Sequence, residues 1–181
     1  NTRGIQAGKI IQTIFTSTKL LSLFGLIIAG FIAFNWDIWE LNWQHPWTMQ
    51  KLTKTSSGIN FDTLVAGAAF GAIASAMVGS IFSSDAWNNV TFIAGEIKNP
   101  KRNIGLSLVL GTLIVTAIYI LINVVYLATV PLQELAFAKD NRVALSASEA
   151  IFGTSGTIII AVMIMVSTFG CNNGLILAGA R

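Results

Sequence analysis

Residues Ile81 to Phe92 read IFSSDAWNNVTF, and they interrupt an otherwise apolar stretch. Before them runs LVAGAAFGAIASAMVGSIF, Leu64 to Phe82, without a single charge. Two serines, an aspartate, a tryptophan and two asparagines at the end of such a run require a physical reason. The wider composition supplies the setting. The chain has 181 residues, of which 54% are hydrophobic and 10% charged, against roughly 25% charged in soluble domains. Mean hydropathy is +0.70. Too few charges exist to make a soluble shell, so the chain reads as an integral membrane protein.

A formal charge of +3 with scattered basic residues gives no footprint for nucleic acid. The one cysteine, Cys171, excludes an internal disulfide and a cysteine-built metal site. The one histidine, His45, sits among tryptophans in WDIWELNWQHPW, a poor setting for metal or catalytic work. No cofactor is implied. The chain starts at Asn1 without a signal-peptide pattern and stops at Arg181 directly after LILAGA, so it reads as a piece of a longer protein.

Four spans are expected, at about residues 8–34, 63–95, 104–130 and 155–180. A helix needs about 20 residues to cross ~30 Å of hydrocarbon. The second span would reach ~50 Å as one straight helix, so it must be broken, and residues 82–86 are the place. Loop 35–62 carries Trp36, Trp39, Trp43 and Trp47, an arrangement suited to a water–lipid interface. Loop 96–103, EIKNPKRN, packs Lys98, Lys101 and Arg102 closely, and Pro100 stops a helix there. Loop 131–153 contains LQELAFA, a candidate short surface helix. The positive-inside rule puts 96–103 in the cytoplasm with both chain ends, which carry Arg3, Lys9 and Arg181. Loops 35–62 and 131–153 are then extracellular.

An aspartate near mid-membrane costs roughly 2.5–3.5 kcal/mol on insertion scales and marks a functional candidate. Opened backbone at that depth survives where it lines a cavity or is buried in protein. Discontinuous helices of this kind hold substrates in secondary transporters. Asp85 therefore caps the second half-helix, contacts a substrate, or does both. The small residues from Gly67 to Ser80 are read as helix packing, and Gly67–Gly71 as a weak GxxxG signal. Lys19 poses a second question. The apolar run after it, LLSLFGLIIAGFIAF, is about 22 Å long at helical rise, so spanning draws Lys19 below the surface. It is a snorkelling lysine, a fixed cation or a proton carrier. Ser167 and Cys171 share one helix face, as do Tyr119, Asn123 and Tyr126, the latter set read as packing.

FSSDAWNNVTFIAGEIKNPKRN resembles the sixth helix and following loop of the L-amino acid transporters, in the amino acid–polyamine–organocation superfamily. Phe82, Trp87, Asn88, Glu96, Asn99, Pro100, Arg102 and Asn103 match its pattern. QTIFTSTKLLSLFGLIIAG resembles the fifth helix, with Lys19 at its characteristic lysine, and VSTFGCNNGLILAGAR the eighth. The resemblance implies an all-α membrane bundle of two inverted five-helix repeats, with helices five to eight present here. It implies that carbonyls of Phe82, Ser83 and Asp85 receive a substrate ammonium and that the Phe82 ring gates the site. Ser84, Asp85, Ala86, Trp87 and Asn88 would border the side-chain pocket, and Cys171 would face it from helix eight. Lys19, with Ser167 as its expected partner, would stand in for the sodium ion of sodium-coupled relatives.

The resemblance thus implies a sodium-independent exchanger of neutral amino acids, with tolerance of cationic ones, working by alternating access in the plasma membrane. A proton-coupled symporter of the same superfamily is the alternative. A membrane-embedded enzyme using Asp85 with Lys19 or Ser84, and a channel subunit, are the competing classes. The enzyme reading lacks a histidine in the spans, and the channel reading lacks polar rings. The expected partners are an amino acid and the bilayer. The segments that would bind a substrate carboxylate and a heavy-chain partner are not represented, so no heavy chain is inferred. The tryptophan-rich loop 35–62 is a departure from the family's pattern.

Overall fold

The computed structural model describes residues 5–55, 58–83, 90, 94–97 and 99–179. In chain order the elements are α1 (Ile5–Ile32), α2 (Trp36–Asn42), β1 (Gln50–Thr55), β2 (Gly58–Thr63) and α3 (Ala66–Ser83). After a 3-10 turn at Ala94–Glu96 come α4 (Pro100–Thr129), α5 (Leu132–Ala136), α6 (Val143–Phe152) and α7 (Gly156–Gly179). The expected break at 82–86 falls largely outside the described residues: Ser84, Asp85 and Ala86 lie there, and of Phe82 and Ser83 only the backbone is described. Arg3, Lys98 and Arg181 also lie outside them.

Among the described residues, three stretches are long and apolar enough to cross a membrane: Ile10–Ile32, Pro100–Thr129 and Val143–Ile176. Ala66–Ile81 is a shorter apolar helix. The third stretch is not one straight rod. The Ser148 hydroxyl donates to the Gly156 carbonyl at 3.0 Å, whereas eight residues of continuous helix would separate them by about 12 Å. A 3-10 turn at Gly153–Ser155, with Gly153 at φ 62°, makes this corner. Gly156 is obligatory there, because a Cβ would collide with the Ser148 backbone. Thr157 braces the corner by donating to Glu149 Oε1 at 2.7 Å.

The all-α expectation needs one correction. Loop 35–62 holds an antiparallel hairpin, with Leu52 opposite Phe61 and Lys54 opposite Ile59. Alternation over Lys51-Leu52-Thr53-Lys54 and Ile59-Asn60-Phe61-Asp62 puts apolar groups on one face, the period-2 pattern of a strand. Two further details differ from expectation. α4 begins at Pro100, inside the segment read as a loop, because a proline at the first helical position loses no hydrogen bond. Asn99 before it takes the left-handed region, φ 50°. The short helix expected in LQELAFA is α5.

Two seams organise the bundle. The C-terminal half of α1 packs on α4 through Ile27, Ile118 and Ile122, with Leu20, Leu23 and Tyr126 around them. Gly30 lies against Val125 so closely that any Cβ would overlap its methyl groups. The N-terminal half of α1 packs on α7. Between the two halves, Thr18 donates to the Ile14 carbonyl at 2.9 Å and Ser22 to the Thr18 carbonyl at 2.8 Å. Beyond α1, Phe34 leads into a ladder of rings with Trp36 at 4.8 Å and Trp39 at 5.5 Å, then Trp39 with Trp43 at 5.4 Å. Among the described residues, α3 makes at most glancing contact with α1, α4 and α7. Gly67 and Gly71 accordingly face open space.

Candidate functional site

Gly8, Gln12, Phe15 and Lys19 recur every three or four residues along α1 and so form one stripe. On α7 the facing stripe is Ser167, Gly170, Cys171 and Gly174, with Asn173 beside it. Small residues on α7 let the helices approach. Gly170 lies against Phe15, where a Cβ would stand 3.1 Å from the Phe15 Cβ, and Gly174 lies against the Gln12 amide. Phe15 and Phe169 stack at 5.3 Å. At the N-terminal end of the seam, Asn173 Nδ2 donates to Gln12 Oε1 at 2.9 Å and to the Gly8 carbonyl at 3.5 Å.

At the other end, Lys19 Nζ donates to Cys171 Sγ at 3.6 Å. Helical side chains lean toward the N-terminus, which carries the long Lys19 stem down α1 to the level of Cys171. The lysine is half-buried, and Cys171 is exposed. Ser167 is half-buried one turn earlier on α7; the bond from the ammonium goes to Cys171. The cation thus sits at the seam of two helices of membrane-crossing length, with a sulfur acceptor and, among the described residues, no carboxylate bonded to it.

The structure therefore brings together three of the residues singled out in the sequence: Lys19, Cys171 and, one turn away, Ser167. Of the others, Phe82 and Ser83 close α3 as described, and Ser84, Asp85, Ala86, Trp87 and Asn88 lie outside the described residues. Two polar residues were missed. Gln12 lies seven residues before Lys19, two turns down the same face, and this spacing was the available signal for its pairing with Asn173. Asn42 ties α2 to the end of α4, with no local pattern to announce it. Of the set read as packing, Tyr126 packs on the Ile27–Ile118–Ile122 core, whereas Tyr119 and Asn123 are exposed, and Asn123 donates to the Tyr119 carbonyl at 2.8 Å within its own helix. Among the described residues, no set of side chains gathers for a metal ion.

A mostly helical chain with several helices long and apolar enough to cross a membrane, joined at one apolar and one polar seam, is a multi-pass integral membrane protein. The amino acid permease family model matches residues 1–181, and the chain belongs to that family. It is 31% identical over its full length to the serine/threonine exchanger SteT of Bacillus subtilis, covering 36% of that protein. It is 30% identical to the human b(0,+)-type amino acid transporter 1, covering 33% of it, with the whole chain aligned. The mouse Asc-type amino acid transporter 1 is 26% identical over the whole chain, with 31% of its length covered. These relatives are of the L-amino acid transporter kind that the motifs resemble, and they are transporters rather than enzymes. The chain spans about a third of their length. No solved structure matches it significantly.

Proposed function

We propose that this chain forms helices five to eight of a sodium-independent amino acid exchanger that works by alternating access in the plasma membrane. In this reading α1, α3, α4 and α7 belong to two inverted five-helix repeats, and the second span is broken at 82–86. Loop 96–103 is cytoplasmic; loops 35–62 and 131–153 are extracellular. The observation that carries the reading is Lys19 held on Cys171 between α1 and α7. A fixed ammonium there supplies the positive charge that a coupling cation would otherwise bring, so no sodium is needed. Ser167, one turn from Cys171, completes the coupling region.

The substrate is an amino acid, with neutral side chains favoured and cationic ones tolerated. Names of the relatives support this class: one is a serine/threonine exchanger and another an Asc-type transporter. The ammonium of the substrate lies on the free carbonyls of Phe82, Ser83 and Asp85, with the Phe82 ring as gate. Ser84, Ala86, Trp87, Asn88 and Cys171 border the side chain. The Asp85 carboxylate tunes preference for charge.

The test uses the full-length protein in sodium-free proteoliposomes, either preloaded with unlabelled amino acids or empty. Labelled serine and leucine entering preloaded vesicles alone is the expected result. Equal entry into empty vesicles, or entry that requires sodium, overturns the proposal. With uptake established, Asp85→Gly should lower the ratio of arginine to leucine uptake. An unchanged ratio would show that the carboxylate does not read charge.

A further inference from the structure

We propose that the tryptophan segment from Trp36 to Trp47 is an interfacial clasp, seated in the lipid headgroup zone rather than on another protein. Its height is fixed by hydrogen bonds to the end of a membrane-crossing helix. The Asn35 amide donates to the Ala128 carbonyl at 3.1 Å. Asn42 Nδ2 donates to the Leu127 and Val130 carbonyls at 2.8 and 3.0 Å, and Asn42 Oδ1 accepts the Leu132 amide at 2.7 Å. These groups belong to the last turn of α4 and the chain leaving it, where a helix has no partners of its own. One amide side chain therefore holds α2 level with the end of the hydrocarbon.

The segment's own pattern suits that level. At 100° per residue, Trp36 and Trp39 on α2 and Trp43 at its C-terminal cap fall within about 60°, and Glu40 and Asp37 follow on the adjoining flank, about 40° and 100° from Trp36. Trp36 is 69% exposed, Trp43 47% and Trp47 95%. An indole has an apolar body and one N–H donor, which headgroup carbonyls and phosphates can accept. The surface is also continuous with an exposed apolar side of α1. Exposed Ile28, Phe31 and Ile32 lead directly into the ring ladder that starts at Phe34.

A protein partner fits the surface poorly. By themselves the three indoles at these exposures offer roughly 500 Å², less than the ~800 Å² per partner of a stable interface. The stripe is one residue wide and broken by Asp37, Glu40 and Gln44. Lipid wets a stripe of any width.

The experiment is fluorescence quenching of the full-length protein in vesicles of phosphatidylcholine brominated either near the headgroup or near the chain ends. The difference signal between the unaltered protein and the Trp36→Phe/Trp43→Phe/Trp47→Phe variant isolates the three indoles. That signal should be quenched at least twofold more by shallow bromines than by deep ones. Asn42→Ala, which removes no indole, should reduce the shallow preference by releasing α2 from α4. A difference signal untouched by either lipid overturns the proposal: quenching by aqueous acrylamide would then mean water, and protection from it a second copy or another protein. Stronger quenching by deep bromines overturns it too. Should the triple variant fold poorly, Trp47→Phe alone gives the same comparison.

Discussion

Lys19 and Cys171 stand 152 positions apart in the chain and meet at 3.6 Å across the seam of α1 and α7. Sulfur is a weak acceptor, so the charge matters more than the bond. Lys19→Met should lower sodium-free exchange at least about tenfold, in line with the ~1.5–3 kcal/mol attached to a charged hydrogen-bonding group. Cys171→Ser, which keeps an acceptor in place, should stay within about threefold, under 1 kcal/mol. Initial rates of labelled serine uptake, normalised to monodisperse protein, decide this. Equal losses in the two variants would mean that the contact, not the cation, is what matters.

Gly30 and Gly25 lie on the same helix in different surroundings. A side chain at Gly30 overlaps Val125, and one at Gly25 meets nothing within 4 Å. Gly30→Val should destabilise the detergent-solubilised protein by about 1–3 kcal/mol through overpacking. Gly25→Ala should be neutral or stabilising by up to ~1 kcal/mol through helix propensity. Thermal melting of both variants checks the pair, and similar melting temperatures would remove Gly30 as the point of close approach.

The Gln12–Asn173 bond at 2.9 Å should contribute little by itself. A double-mutant cycle with alanine at each position should return a coupling of about 0.6 kcal/mol, with ~1.7 as the upper bound for such pairs in lipid. A coupling of zero would mean that the two amides find other partners in the intact protein.

The membrane helices could be read from the apolar runs, because lipid leaves a chain few alternatives. The hairpin could have been read too. Leu52, Ile59 and Phe61 alternate with polar residues around Ser56-Ser57-Gly58, but the four tryptophans before them drew the reading toward an interface loop. The boundary at 153–155 was legible as the end of a loop and the start of a span, but the helix Val143–Phe152 before it, and the sharp corner that folds Ser148 back onto Gly156, show only in the backbone. At the site, Lys19, Ser167 and Cys171 stood out as polar groups in apolar helices. Which of them would touch was beyond sequence, since the reach of a lysine stem depends on its lean and on the offset between two helices. That Gln12 would pair with Asn173, rather than with another polar group of the last span, was hidden for the same reason.

The two ends of α1 are gripped by different chemistry. Toward its C-terminus it is held by close apolar packing at Ile27 and Gly30; toward its N-terminus, by an amide pair and one ring stack. Midway, Thr18 and Ser22 turn their hydroxyls back onto carbonyls one turn earlier, a habit that bends helices. α1 thus meets its neighbours through close-fitting shape at one end and through polar pairing at the other, and Lys19 stands where the one kind of contact gives way to the other.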